Sequence, residues 1–384
     1  FSYFFYTAVT GQPFEWEAAD ALTYDFGARD IARQLRDGNL AVFKAYFDAL
    51  GAGDTGYYSY LGILYYLTGD SIIISRLLKA LYSAVMCLLI YKLTKRNFGE
   101  ETGRIAGILC MLMPHFMYYC GLHLKETEMV FLTVAFIERT DYLLRNKNYN
   151  VVNIAIPILL AGSLFFFRTV LGATALMAFL TTIVFSAGKV VGWGKRIMIG
   201  IWAIAAIGYF MGGQISMEVE QHWENREDNQ RLNMEQRTQR GNVFARYGST
   251  VIFAPMIFAA PFPTLVNTEN QENMRLTNGS MFVKNITAFF TMLGIFLLIY
   301  RRQWREHIII LAFLIGYLAV IAMSAFAISD RFHFPSVPFA LIIAAYGISQ
   351  MTNQNKKYFN WWTILIFVII VGWSWFKLAG RGMV

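Results

Sequence analysis

Apolar residues dominate this chain in long blocks broken by short polar clusters, and several blocks approach or exceed the roughly 20 residues that cross a bilayer core as a helix. The blocks fall at about 71–91, 104–121, 128–144, 151–167, 170–187, 197–216, 281–300, 306–328, 337–351 and 361–376. The period-2 alternation of a membrane barrel is absent, which leaves helices as the spanning structure. The chain begins at Phe1 with an apolar stretch too short to span alone, which reads as the end of a first transmembrane helix whose beginning is missing. The pattern predicts an all-α integral membrane protein with about 11 transmembrane helices.

Two polar stretches interrupt this pattern. The first, 11–69, is predicted to hold an amphipathic helix over 17–37, closed by Gly38, and a second over 40–50, closed by Gly51. Both read as interfacial, juxtamembrane helices rather than spans. The second stretch, 217–280, opens with a polar run over 218–246 and turns apolar over 251–263. Its prolines, Pro255, Pro261 and Pro263, argue against a straight span and for an interfacial or re-entrant piece. No internal repeat stands out, so 1–384 reads as a single transmembrane domain with embellished loops.

Composition agrees: 56% of residues are hydrophobic, 16% aromatic and 15% charged, against a charged fraction of roughly 25% in soluble domains. A formal net charge of +8 would admit nucleic acid as a partner, but much of the basic charge lies in short connections between spans. Lys92, Lys95, Arg96 and Arg104, then Arg139, Arg145 and Lys147, then Lys189, Lys195 and Arg196, then Arg301, Arg302 and Arg305, then Lys356 and Lys357, mark one side of the membrane. The positive-inside rule makes that side cytoplasmic, and topology replaces nucleic acid as the explanation. Cys87, Cys110 and Cys120 show no CxxC spacing, so they read as packing residues.

The opposite side collects the unusual chemistry. Glu17, Asp20 and Tyr24 fall at i, i+3 and i+7 of the predicted helix and share a face, with Asp25 and Asp30 nearby. A carboxylate held there suits general-base work on a hydroxyl, and the same spacing also suits a plain solvated helix face. Arg76, Lys79, Lys125, Arg168 and Arg331 sit at the outer ends of spans. Headgroup anchoring accounts for any one of them, whereas five on the outer side point to an anionic ligand, with phosphate the leading candidate. The five histidines lack zinc-ligand spacing, and no Gly-rich phosphate loop follows a strand. Asn278-Gly-Ser and Asn285-Ile-Thr have the form of glycosylation sequons.

Asp20-Ala-Leu-Thr-Tyr24-Asp25, followed by the tyrosine-rich stretch from Gly53 to Gly69, resembles the first outer loop of GT-C type polyprenyl-phosphate-sugar glycosyltransferases. Ser75-Arg76-Leu-Leu-Lys79, the stretch from Pro114 to Lys125-Glu126, and Arg331-Phe-His-Phe-Pro335-Ser-Val-Pro338 extend the resemblance over most of the chain. The relatives include protein O-mannosyltransferases, lipid A aminoarabinose transferases and the bacterial Rgt-like family 39. The resemblance implies a GT-C fold and an inverting transfer of a sugar from a polyprenyl-phosphate-linked donor to a hydroxyl of a glycan, lipid or protein. It places the active site at the periplasmic face of a bacterial inner membrane. Asp20 matches the loop-one acid, with Asp25 or Glu17 as stand-ins, and Arg331 matches a late basic residue. Lys125, Arg168, Arg76 and Lys79 are looser phosphate candidates, and Tyr24, Tyr57, Tyr58, Glu126, His123 and His333 are acceptor or sugar candidates. Several relatives carry two adjacent acids where this chain has Asp20-Ala21, which weakens any role for a divalent metal. No cofactor is expected.

Two other readings remain open at the level of sequence. A lipid-linked glycan transporter or flippase needs charged or broken helices near the bilayer midplane, whereas the charges here cluster towards one face. A glycan polymerase or ligase relies on outer-loop arginines, for which Arg226, Arg231, Arg237, Arg240 and Arg246 are available.

Overall fold

The computed structural model describes residues 1–16, 18–146, 150–188, 192, 194, 256–266, 272–322 and 329–379. Glu17, the block at 197–216 and most of the 217–280 stretch, with Arg226, Arg231, Arg237, Arg240 and Arg246, lie outside the described residues. The described residues contain helices and no strand. The chain divides into two compact units, one of Phe1–Leu93 with Cys110–Met177 and the other of Thr94–Leu109 with Ala178–Val384.

The first unit opens with α1 (Ser2–Thr10), α2 (Ala19–Arg36) and α3 (Val42–Leu50). The last two fall where the amphipathic pattern placed them. Ala21, Tyr24, Ala28, Ile31 and Ala32 form the buried face of α2, at the three- and four-residue spacing of a helix stripe. A further helix, α4 (Ala52–Thr68), occupies a stretch that the pattern left as loop. It runs from Gly51 at φ 75° to Gly69 at φ 68°, both in the left-handed region that favours glycine. Glycines within α4 weaken its helical signal, yet they let it pack closely. A Cβ on Gly62 would lie 2.4 Å from Cγ2 and 2.7 Å from Cβ of Ile31 on α2, so the glycine leaves the room that the isoleucine side chain fills.

The chain continues through α5 (Ile72–Phe98), α6 (Glu100–Leu112), α7 (Pro114–Cys120), α8 (Glu126–Arg145), α9 (Val151–Phe167) and α10 (Thr169–Phe185). The single span expected at 104–121 is instead two helices. Pro114 begins α7 and holds Met113 in an extended conformation, because the residue before proline is driven out of the helical region. In the first unit, α4 packs against both α2 and α9, and α8 against α9.

The second unit is built on α11 (Glu272–Tyr300), α12 (Ile308–Ala322), α13 (Asp330–His333), α14 (Val337–Ser349) and α15 (Asn353–Ala379). Its most extensive packing is between α11 and α14. The described end of the proline-rich stretch is not a span. Ala259, Ala260 and Phe262 are buried with Ala288, Ile366 and Ile370, and Lys284 and Asn285 of α11 donate to the carbonyls of Ala259, Ala260 and Pro261. Asn285, half of a formal sequon, is thereby fully buried.

Four helical stretches among the described residues are long and apolar enough to cross a membrane: Ile72–Phe98, Leu276–Tyr300, Asp330–Ser349 and Asn353–Phe376. Val151–Phe167, Thr169–Phe185 and Ile308–Ala322 are apolar but shorter. These features make the chain a multi-pass membrane protein.

Candidate active site

The first unit gathers most of the candidate residues at the start of α2, the start of α4, the first two turns of α5, the turn at 121–125 and the start of α8. Asp20 lies in the first turn of α2 with its side chain exposed, where the positive end of the helix dipole suits an anion. One turn later Tyr24 is buried, with its ring edge-on to Tyr57 at 4.9 Å and to Tyr58 at 5.2 Å. Burial raises the phenol pKa of Tyr58, and the nearby carboxylates of Asp54 and Asp20 raise it further. Both acids, from two different helices, are thus within electrostatic reach of the Tyr58 hydroxyl.

Lys125 makes a salt bridge with Asp54, and its ammonium lies 6.0 Å from the centre of the Tyr24 ring. The lysine side chain is 4% exposed and that of Asp54 is 56% exposed, so a buried cation is held by a carboxylate that reaches water. Beside them, a Cβ on Gly53 would fall 2.7 Å from Oγ1 of Thr169. The start of α4 therefore touches the residue directly after Arg168. Arg168 is half-buried, and it takes an extended backbone between α9 and α10.

The other two phosphate candidates of this unit are held differently. Lys79 is fully buried, 3.4 Å from the Glu128 carboxylate, and donates to the carbonyls of Leu122 and Leu124. Glu126 is buried within electrostatic reach of the same ammonium. Arg76 donates to the carbonyl of Pro13 and to Oγ of Ser2. Both side chains tie neighbouring segments to α5, a framework role that the sequence reading did not assign them.

Asp25 is likewise engaged on both oxygens. Oδ1 accepts the Tyr65 hydroxyl at 2.6 Å and Oδ2 accepts Nε of Arg29 at 2.8 Å. The Tyr65 hydroxyl is also 3.3 Å from Nε2 of His123. His123 is fully buried beside Phe14 and held well below the usual imidazole pKa, first by desolvation and then by the charges of Lys79, Arg76 and Arg29. Of the candidate acids, Asp20 is thus the one that reaches solvent beside a tyrosine cluster. Glu17 lies outside the described residues.

Arg331 and His333 belong to the second unit, in α13. His333 is fully buried, with Nδ1 2.7 Å from Nζ of Lys284. Lys284 was not singled out from the sequence, because one lysine in a long apolar helix carries no spacing signal. Asp54 was also missed. Its position after Gly51 marks a helix start in retrospect, but only the fold brings Lys125, 71 residues on, to it. Among the described residues, no group of three or more His, Cys, Asp or Glu side chains could hold a metal ion.

Residues 57–138 match the family model for dolichyl-phosphate-mannose-protein mannosyltransferases. The matched stretch contains Tyr57, Tyr58, Arg76, Lys79, His123, Lys125 and Glu126, and it supports the GT-C type resemblance. Neither a curated protein nor a solved structure matches the chain.

Proposed function

We propose that this protein is an inverting GT-C glycosyltransferase that moves a sugar from a polyprenyl-phosphate-linked donor to a hydroxyl acceptor at the extracytoplasmic face, in a bacterial inner membrane. One observation carries the reading. The stretch that matches the mannosyltransferase model holds Tyr58 and Lys125, and the exposed carboxylate of Asp20 lies one helical turn before Tyr24, whose ring packs on Tyr58 and faces the Lys125 ammonium.

In this reading Asp20 takes the proton of the acceptor hydroxyl as its oxygen attacks the anomeric carbon. The bond from that carbon to the phosphate oxygen breaks, and the electron pair leaves with the polyprenyl phosphate. Lys125, with Arg168 near the same helix start, stabilises the charge gathering on the leaving phosphate. The Tyr24, Tyr57 and Tyr58 cluster offers a wall for a sugar ring. For Arg331 and His333 the resemblance alone supplies the phosphate and sugar roles. The acceptor is a glycan, a lipid or a protein.

The test is to incubate purified protein with a panel of polyprenyl-phosphate sugars and hydroxyl acceptors and to identify the products by mass. One sugar should be added per turnover, and Asp20→Asn should abolish transfer while donor binding persists. Wild-type turnover by Asp20→Asn would overturn the base assignment, and no transfer by the wild-type chain with any donor would overturn the reading.

A further inference from the structure

The two buried lysines of the first unit are held in opposite ways. Lys79 and Glu128 are both out of water, at 0% and 4% side-chain exposure, and two backbone carbonyls complete the ammonium's shell. Neither partner of that pair can leave without stranding a buried charge. The Lys125–Asp54 pair lacks this symmetry, because the cation is at 4% exposure and the anion at 56%. If Asp54 turns away, its carboxylate goes into water at little cost. Lys125 has no such escape, so it needs another anion in the same place.

We propose that Asp54 is a displaceable placeholder on Lys125, a positioning residue that occupies the ammonium at rest and gives way to the phosphate of the lipid donor. The inference rests on the phosphate role given to Lys125 in the reading above. The exchange trades one ionic hydrogen-bond partner for another and neither makes nor breaks a covalent bond. A carboxylate waiting beside the site competes with the entering donor, and it also helps to expel the polyprenyl phosphate product by reclaiming Lys125. Two tyrosines can report on the exchange: the Tyr24 ring centre is 6.0 Å from the Lys125 ammonium, and the Tyr24 ring packs edge-on to Tyr58 at 5.2 Å.

A short-chain polyprenyl phosphate, titrated onto the full-length protein in detergent and followed by tyrosine fluorescence or calorimetry, tests the proposal. Asp54→Asn should bind it about threefold to fivefold more tightly than wild type, on the scale of one partly exposed ion pair removed. Asp54→Ser, measured in parallel in case the amide perturbs folding, should shift in the same direction, and the conservative Asp54→Glu should stay close to wild type. In turnover, Asp54→Asn should lower KM for the donor and also lower kcat as product release slows, a split that loss of structure does not produce. Unchanged or weaker phosphate binding by both neutral variants overturns the placeholder role. If the wild-type protein itself does not bind polyprenyl phosphate, the phosphate reading fails and takes this inference with it.

Discussion

Tyr65 on α4 donates its hydroxyl to Asp25 on α2 across 2.6 Å, in a contact shielded from water. Asp25 has its second oxygen on Arg29, so the carboxylate is committed to holding the two helices together. Tyr65→Phe removes the donor and leaves a buried anionic acceptor short of one partner, which costs about 1–3 kcal/mol. The variant should melt earlier in detergent while still transferring sugar, because Asp25 is not the proposed base. A melting temperature equal to wild type would show that the contact contributes nothing.

The Lys79–Glu128 pair makes a sharper stability prediction. Both side chains are buried, and α5 and the start of α8 meet through them. Glu128→Ala leaves the ammonium without its counter-charge and should cost about 3–5 kcal/mol. A double replacement, Lys79→Met with Glu128→Leu, should recover much of that loss, since it removes both buried charges together. Thermal unfolding of the two variants and the wild type in one detergent decides it, and a double variant less stable than Glu128→Ala would refute the account.

His123 sets a pH dependence whose sign follows from its surroundings. Desolvation, then the charges of Lys79, Arg76 and Arg29, hold the folded imidazole well below its ordinary value near 6.5. Below about pH 6.5 the unfolded chain takes up a proton that the folded chain refuses, so the unfolded state gains relative stability as pH falls. The contribution of His123 is fully present above that pH. It is lost on acidification, with a slope of at most about 1.4 kcal/mol per pH unit. His123→Gln should flatten the acid limb of the melting-temperature profile between pH 6.5 and about pH 5. An acid limb as steep as wild type would place the responsible group elsewhere.

The helices were legible in the sequence wherever one face was apolar and a glycine closed the end, as with α2 and α3. The break at Pro114 carried its own signal, since a proline inside an apolar block disfavours helix at the residue before it. Block length hid that signal. The fourth helix was illegible because Gly53, Gly56 and Gly62, which read as loop residues in isolation, serve close helix packing. At the site, spacing left Asp20 among several acids until the resemblance singled it out, and the basic residues at the span ends were all treated alike. What separates Lys125 from Lys79 is the exposure of the partner carboxylate, a property of the packed chain that spacing does not carry. Asp54 and Glu128, the two partners, were therefore the residues that the sequence reading passed over.

The crossing of α11 and α14 gives the last prediction. A Cβ on Gly347 would lie 2.2 Å from the carbonyl oxygen of Phe290, and one on Gly294 would lie 2.5 Å from that of Ile343. Each glycine thus faces the other helix's backbone, which cannot move aside as a flexible side chain can, and this lets two membrane helices pack without a driving hydrophobic term. Gly372 on α15 has open space where its Cβ would go, so it serves as the matched control in another apolar helix. Gly347→Ala should destabilise the second unit by about 1–3 kcal/mol through overpacking. Gly372→Ala should be neutral or slightly stabilising, because alanine is the better helix former. Melting temperatures of the two variants, measured side by side in the same detergent, provide the test. Equal shifts in both would mean that the glycine contact does not hold α11 against α14.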